Sequence, residues 1–332
     1  MSQNSSITFV VPVLNNQEIL EDCLKSIRYQ NYDSNKVEII ISDGGSKDKS
    51  LAIARFYGCR IIKNPKILAE PGFMLGAENA RGELVAYMGA DNRLSDKDWI
   101  RNMVTPFEDP KIIGAFPWHK NHPKNTWLTK YFNTFTDPVN HFILGPSCNP
   151  LYFYKAYEIL KKKKDYVVYS FNISNFPMIA FDQGFVVRKS YNRSPETEYD
   201  DILPVLVLIK QNMRLAFVPK ASNYHYTLEK GIFQYARKMR WIIDNNISPD
   251  ATFGLPTRMQ YLSLGRRIRF YIWPVYAITL IGPMIHSFIG LILDKKKEWL
   301  YHVPITFFTV ILILYELIRI KVLKQKSLAS RQ

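Results

Sequence analysis

The chain has 332 residues, 47% of them apolar, enough for one large domain with an appendage or for two modest domains. Its 44 Lys and Arg against 29 Asp and Glu give a net charge of +15, and residues 231–332 hold fifteen basic against five acidic side chains. That charge sits beside apolar segments and no nucleic-acid recognition module is legible, so the partners it indicates are a membrane surface and phosphate-bearing molecules, not nucleic acid. Cys23, Cys59 and Cys148 lack the paired spacing of a disulfide framework or zinc site and point to a reducing compartment. No secretory signal pattern precedes the first strand, so the amino-terminal domain is expected in the cytoplasm.

In chain order, ITFVVPVL (7–14) is a short apolar strand, and residues 16–30 place apolar side chains at 19, 20, 24 and 27, a helical spacing. VEIIISD (37–43) is a strand, residues 46–58 a helix ending at glycine, CRIIKN a strand, GFMLGAENA a helix and ELVAYMGAD a buried strand. This alternation predicts βαβ units: an α/β fold with a mainly parallel sheet and helices on both faces. The last strand halts at Gly89-Ala90-Asp91 and turns polar. Asp91 there is either a turn residue or a metal-ligating carboxylate at a strand's carboxyl end, where open α/β sheets bind ligands.

Residues 100–195 are rich in aromatic and loop-forming residues, and KKKKD at 161–165 is a solvated surface run. Residues 195–226 predict a helix followed by a strand. From Gly231, two basic amphipathic helices read as lying on a membrane surface. Residues 271–293 carry no Asp, Glu, Lys or Arg, and 300–318 hold Glu316 as their single acidic residue, each near the length that crosses a bilayer. A two-helix transmembrane hairpin is expected, although Lys295, Lys296 and Lys297 on its outer side run against the positive-inside bias. A re-entrant hairpin aided by Pro274 and Pro283 would keep all the charge on one side. The expected divisions are a catalytic domain over 1–230, interfacial helices over 231–270, and the hairpin with a basic tail over 271–332.

Four motifs in order, ITFVVPVLNNQEILEDCLKSI, ISDGGSKDKS, GFMLGAENARGELVAYMGAD and EYDDILPVLVLIKQNMRLAFVPKASNYHY, resemble the inverting glycosyltransferases of family two, which have the GT-A fold. The resemblance covers roughly residues 7–226. It implies a metal-dependent enzyme using Mg2+ or Mn2+ and a UDP- or GDP-sugar donor. By the resemblance, Pro12, Val13, Asn15, Asp43, Gly72, Ala90 and Asp91 bind the donor, and Asp91 and His225 hold the metal. Asp201 is the expected general base, Asp200 orients the acceptor, and Glu198 is a fallback for either role. The chain departs from the family at Gly89, where an acidic residue is usual, and Asn92 or His225 is expected to complete the shell. RKMRW (237–241) resembles the Gln-x-x-Arg-Trp stretch of processive polysaccharide synthases, with Arg237 in place of glutamine. Arg237, Lys238 and Arg240 are expected as phosphate contacts or as anchors of an interfacial helix. The apolar pair and basic skirt make the expected acceptor a lipid-linked one, a polyprenyl phosphate or lipid-linked glycan, on a multi-pass membrane protein. The alternatives are a polysaccharide synthase and a non-catalytic nucleotide-sugar or lipid-headgroup binding protein.

Overall fold

A computed structural model of the chain describes residues 5–191, 193–243 and 258–323. The basic tail over 324–332 and part of the interfacial segment, 244–257, lie outside the described residues. The described chain forms two units, Met1–Lys120 with Asn149–His225, and Asn121–Cys148 with Tyr226–Gln332.

The first unit is built on a ten-stranded sheet. Its strands are β1 (Ile7–Val13), β2 (Val37–Asp43), β3 (Arg60–Lys63), β4 (Leu84–Met88), β5 (Asn92–Leu94), β6 (Ile112–Lys120), β7 (Ile159–Lys162), β8 (Val167–Tyr169), β9 (Gln183–Arg188) and β10 (Arg214–His225). The order is β3-β2-β1-β4-β9-β6-β10-β8-β7, with β5 added to β10. Both β1 and β4 are buried along their whole length, the pattern of strands covered on both faces. On one face Phe9 and Val11 share a core with Leu20, Leu24, Trp99 and Met103, from the helices Leu20–Arg28 and Trp99–Val104. On the other, the helix Ala69–Glu78 brings Phe73 to 5.7 Å from Tyr87 and sets Gly76 against Val10.

The expected mainly parallel sheet is corrected to a mixed one. β1, β2, β3 and β4 pair in parallel, as does β6 with β10. β9 runs antiparallel between β4 and β6, and β5, β8 and β7 add antiparallel pairings. The difference comes from residues 100–195, where aromatic content hides the short strands. The strand order reverses about β1, with β2 on one side and β4 on the other. Such a switch point opens a crevice beyond the carboxyl ends of the strands, here next to Val13, Asp43 and Asp91.

In the second unit, Tyr131, Phe135, Tyr235, Met239, Trp299 and Ile305 form a core among the helices Trp127–Phe135, Ile232–Ile242 and His302–Leu323. By length and composition, Lys297–Ile320 is able to cross a membrane. The other expected span is not one straight helix. It divides at Leu280, which takes a left-handed conformation (φ 61°), into Leu264–Thr279 and Ile281–Leu293, bent by 91°. Pro274 lies inside the first arm, whereas Pro283, in the first turn of the second, lacks the N–H that would bond the carbonyl of Thr279, where the first arm ends; Gly282 allows the close approach, since a Cβ there would stand 2.3 Å from the Tyr276 ring.

A Cβ on Gly76 would stand 2.1 Å from Cγ1 of Val10. Helix propensity favours alanine over glycine by about 1 kcal/mol, while overpacking costs about 1–3 kcal/mol. Gly76→Ala is expected to lower stability by a net ~1 kcal/mol in urea unfolding, and Val10→Ala in the same chain to return part of the loss.

Candidate functional site

Asp91 follows β4 through a turn closed by Asn92 N–H donating to the Gly89 carbonyl (3.0 Å). Asn92 then enters β5 and pairs antiparallel with His225, the last residue of β10. This pairing brings Nε2 of His225 to 3.3 Å from Oδ2 of Asp91, while Asn92 Nδ2 donates to Oδ1 (3.0 Å). The Asp91 side chain is 37% exposed and His225 11%, so a carboxylate open to solvent sits beside a largely covered imidazole. The His119 ring lies 5.1 Å from that of His225. Burial, and secondarily the His225 charge, push its pKa down to about 3, so it adds no positive charge beside Asp91 at neutral pH.

Gly89, the departure in the motif, has a structural consequence. A Cβ there would meet Asp91 Oδ1 at 2.8 Å and Asn92 Nδ2 at 3.1 Å. The space of the missing side chain is the space the Asp91–Asn92 contact uses. Among the described residues no three His, Cys, Asp or Glu side chains converge as a complete metal cage. Two donors nevertheless fit a shared divalent ion. Adjacent ligands on an octahedral ion with bonds of about 2.1 Å lie about 3 Å apart, close to the 3.3 Å between Asp91 and His225. Mg2+ is commonly held through one or two protein ligands with substrate phosphates, and carboxylate oxygen suits Mn2+ as well.

The neighbouring strand ends are stitched by side chains that cap backbone groups. Asp43 is buried and accepts from the N–H groups of Gly45 (3.0 Å) and Ser46 (3.0 Å), so its carboxylate builds the turn that follows β2. Asn15, exposed and at φ 53°, accepts from Lys47 N–H (2.9 Å) and donates its own N–H to Ser46 Oγ (3.0 Å). The Val13 carbonyl takes the Gly44 N–H (2.9 Å), and Ala90 is buried. Gly72 allows close packing: a Cβ would stand 2.9 Å from Asn64 Nδ2 and 3.2 Å from both Pro12 Cβ and Ser42 Oγ. Pro12 lies past the β1–β4 ladder, which ends at Val10, so its missing N–H costs no bond on that side.

The acidic pair divides its work. Buried Asp200 accepts at Oδ1 from Ile202 N–H (2.7 Å) and Leu203 N–H (2.8 Å), just ahead of the helix Leu203–Lys210. Half-buried Asp201 is held by its backbone, the carbonyl accepting from Phe181 N–H (2.8 Å). The next residue, Asp182, accepts at its carbonyl from Gly89 N–H (2.8 Å). Consecutive residues therefore tie the Asp201 segment and the Gly89–Asp91 turn to one another. Glu198 pairs with Lys66 at 2.5 Å.

Arg193 carries no signal in the sequence, being a lone arginine in a polar loop. It is buried, lies 5.7 Å from the Phe181 ring centroid, and donates to the carbonyls of Thr197 (2.5 Å) and Asp200 (2.6 Å). The peptide on either side of Asp201's nitrogen and carbonyl is thus fixed by Arg193 and Phe181. Arg237, Lys238 and Arg240 belong to the second unit. Arg240 donates to Glu316 (2.8 Å), Lys238 to Thr227 (3.0 Å), and Arg237 is exposed.

The sequence profile described as glycosyl transferase family 2 matches residues 8–181. A dolichyl N-acetyl-alpha-D-glucosaminyl phosphate 3-beta-D-2,3-diacetamido-2,3-dideoxy-beta-D-glucuronosyltransferase of Methanococcus voltae is 22% identical over 315 residues, 89% of this chain and 90% of that protein. Among solved structures, a mannosyltransferase from Pyrobaculum calidifontis in complex with GDP-Man and Mn2+ is similar over 96% of this chain and 88% of that one, with TM-score 0.53 and 15% identity. S. aureus TarS in complex with UDP-GlcNAc is similar over 92% and 89%, with TM-score 0.50 and 12% identity. The two structures speak to fold, a GT-A α/β architecture with a mixed sheet.

Arg193→Met would leave the Thr197 and Asp200 carbonyls without their donor, at about 1–3 kcal/mol for each buried group left unpaired. The expected outcome is a lower unfolding temperature and faster hydrogen exchange at the Ile202 and Leu203 amides, with Arg193→Lys falling between.

Proposed function

The chain belongs to glycosyl transferase family 2, and from that premise we propose that it is an inverting glycosyltransferase. It moves a sugar from a UDP- or GDP-sugar to a lipid-linked acceptor at the cytoplasmic face of a membrane. The observation that carries this reading is the tie through Phe181 and Asp182, which joins the backbone of Asp201 to the turn bearing Asp91. That tie supports reading Asp201 as the acceptor base and Asp91 as the diphosphate-binding carboxylate of one site. The M. voltae relative, named for a dolichyl phosphate-linked substrate and alignable over nearly its whole length, supports a lipid-linked acceptor. The GDP-Man and UDP-GlcNAc of the similar structures leave the donor base open between guanine and uracil.

In this reading the donor lies across the carboxyl ends of β1, β2 and β4, with its nucleoside against Asn15 and the Asp43 turn. Asp91 and His225 are the residues that would hold Mg2+ or Mn2+, which would supply Lewis-acid stabilisation of the leaving nucleoside diphosphate. Asp201 takes the proton from the acceptor hydroxyl, whose oxygen then attacks the anomeric carbon opposite the leaving group and inverts it. Such a base has to reach that proton directly or through one water. Asp200 contributes by fixing the helix start beside the base. Arg237, exposed on the second unit, is the remaining candidate for a lipid phosphate, since Arg240 is engaged with Glu316.

Transfer of labelled sugar from a panel of UDP- and GDP-sugars into a membrane lipid extract tests the reading. One donor is expected to give labelled lipid, EDTA to abolish it, and Asp201→Asn to lower kcat by about 10²–10⁴-fold with nucleotide affinity unchanged. Nucleotide-sugar binding without transfer from any donor would favour a binding protein instead.

A further inference from the structure

We propose that the second unit is a one-sided membrane anchor: the bent pair 264–293 and the helix His302–Leu323 enter the bilayer surface and return, and no segment between Leu264 and Leu323 crosses. The proposal rests on the membrane reading above and concerns how the attachment is made.

The first observation is the bend. The arms Leu264–Thr279 and Ile281–Leu293 have 16 and 13 residues and meet at 91°. At 1.5 Å per residue they measure about 24 and 20 Å, so the Leu280 elbow stands about 15 Å from the line joining their outer ends. That is about half of a ~30 Å hydrocarbon core. Ile268, Tyr271, Val275, Ile285, Phe288 and Ile292 are exposed along both arms. Arg267 and Arg269 are exposed at the start of one arm, beside buried Arg266, and Lys295, Lys296 and Lys297 stand beyond the end of the other. An elbow dipping from one side puts both basic groups at the same anionic surface, whereas a crossing would carry the lysines to the far side.

The helix His302–Leu323, which carries most of the segment long and apolar enough to cross, exposes Phe307, Ile311, Leu314, Tyr315, Leu317 and Ile318, one broad apolar face. Its other face is buried and polar-laced, with Thr306, Thr309, Glu316 and Arg319. That face is covered in part by the bent pair, through Trp273 and Ala277 against Val310, and in part by the helix Ile232–Ile242: Tyr235 bonds Thr309 (2.6 Å) and, further along both helices, Arg240 bonds Glu316 (2.8 Å). The two helices therefore run side by side in the same sense. If His302–Leu323 crossed, it would draw exposed Arg237 and Lys238 into hydrocarbon, where charged side chains are disfavoured. Lying in the interface, the same pair presents an apolar stripe to acyl chains and keeps its cations at the headgroups, the arrangement of interfacial helices.

The test uses the full chain reconstituted in sealed vesicles of phosphatidylcholine and phosphatidylglycerol. Ser34→Cys, exposed in the first unit, reports the side of the sheet domain, Lys295→Cys reports the turn after the bent pair, and Ser327→Cys reports the side reached by the chain after the helix His302–Leu323. Each is treated with a membrane-impermeant maleimide before and after detergent and read against the parent chain. Equal labelling of all three sites before detergent is expected. Labelling of Ser34→Cys with either Lys295→Cys or Ser327→Cys protected until detergent would show a crossing and overturn the proposal. A chain that fails to float with the vesicles would overturn the membrane reading itself, and the anchor with it.

Discussion

The candidate site depends on one short ladder, the antiparallel pairing of β5 with the end of β10. β5 is three residues long, yet it fixes Asn92 opposite His225 and so decides where the preceding residue, Asp91, points. Because side chains alternate along a strand, a shift of one residue in this register would send His225 to the other face. β10 is in turn held by its long parallel pairing with β6. The placement of two side chains is thereby inherited from the middle of the sheet.

A second constraint links that placement to the acidic pair. The segment Phe181–Asp182 binds the peptide of Asp201 with one residue and the turn after β4 with the next. Buried Arg193 closes the other side of the loop by taking the Asp200 carbonyl. Asp200 spends its carboxylate on two amide groups at a helix start. Adjacent residues thus differ in their burial and bonding: the Asp200 carboxylate stabilises the loop, and the carbonyl of its half-buried neighbour Asp201 accepts from Phe181. In the same way Asp43 and Asn15 serve the turns they stand in, which gives the strand ends a fixed shape for a ligand to meet.

Much of the first unit is legible in the sequence because its signals are local. The apolar runs at 7–14, 37–43 and 83–91 become β1, β2 and β4, and the helix ahead of Gly58 stops where that glycine takes φ 62°. The region over 100–195 is not legible, since β6, β7, β8 and β9 are set by pairing with distant strands and carry no turn chemistry that marks their register. Arg193 and the Phe181–Asp182 tie escape for the same reason: their partners are backbone groups, which no motif encodes. The bend at Leu280 is a further case. Composition alone reads residues 271–293 as continuous, whereas the close approach of Tyr276 to Gly282 depends on packing. Conversely, Asp91, His225 and the acidic pair are visible as motif positions, although the sequence does not say which member of the pair bonds the amides at the helix start.

The central claim is that Asp91 and His225 supply part of a divalent-ion site completed by a nucleoside diphosphate. It is tested most directly by titrating Mn2+ into the full chain by electron paramagnetic resonance, with and without UDP or GDP, for the parent chain and Asp91→Asn. The account predicts weak binding of Mn2+ alone, strong binding with one of the two nucleotides, and loss of that gain in Asp91→Asn. Mn2+ binding that is no tighter with either nucleotide, or a gain that persists in Asp91→Asn, would contradict it.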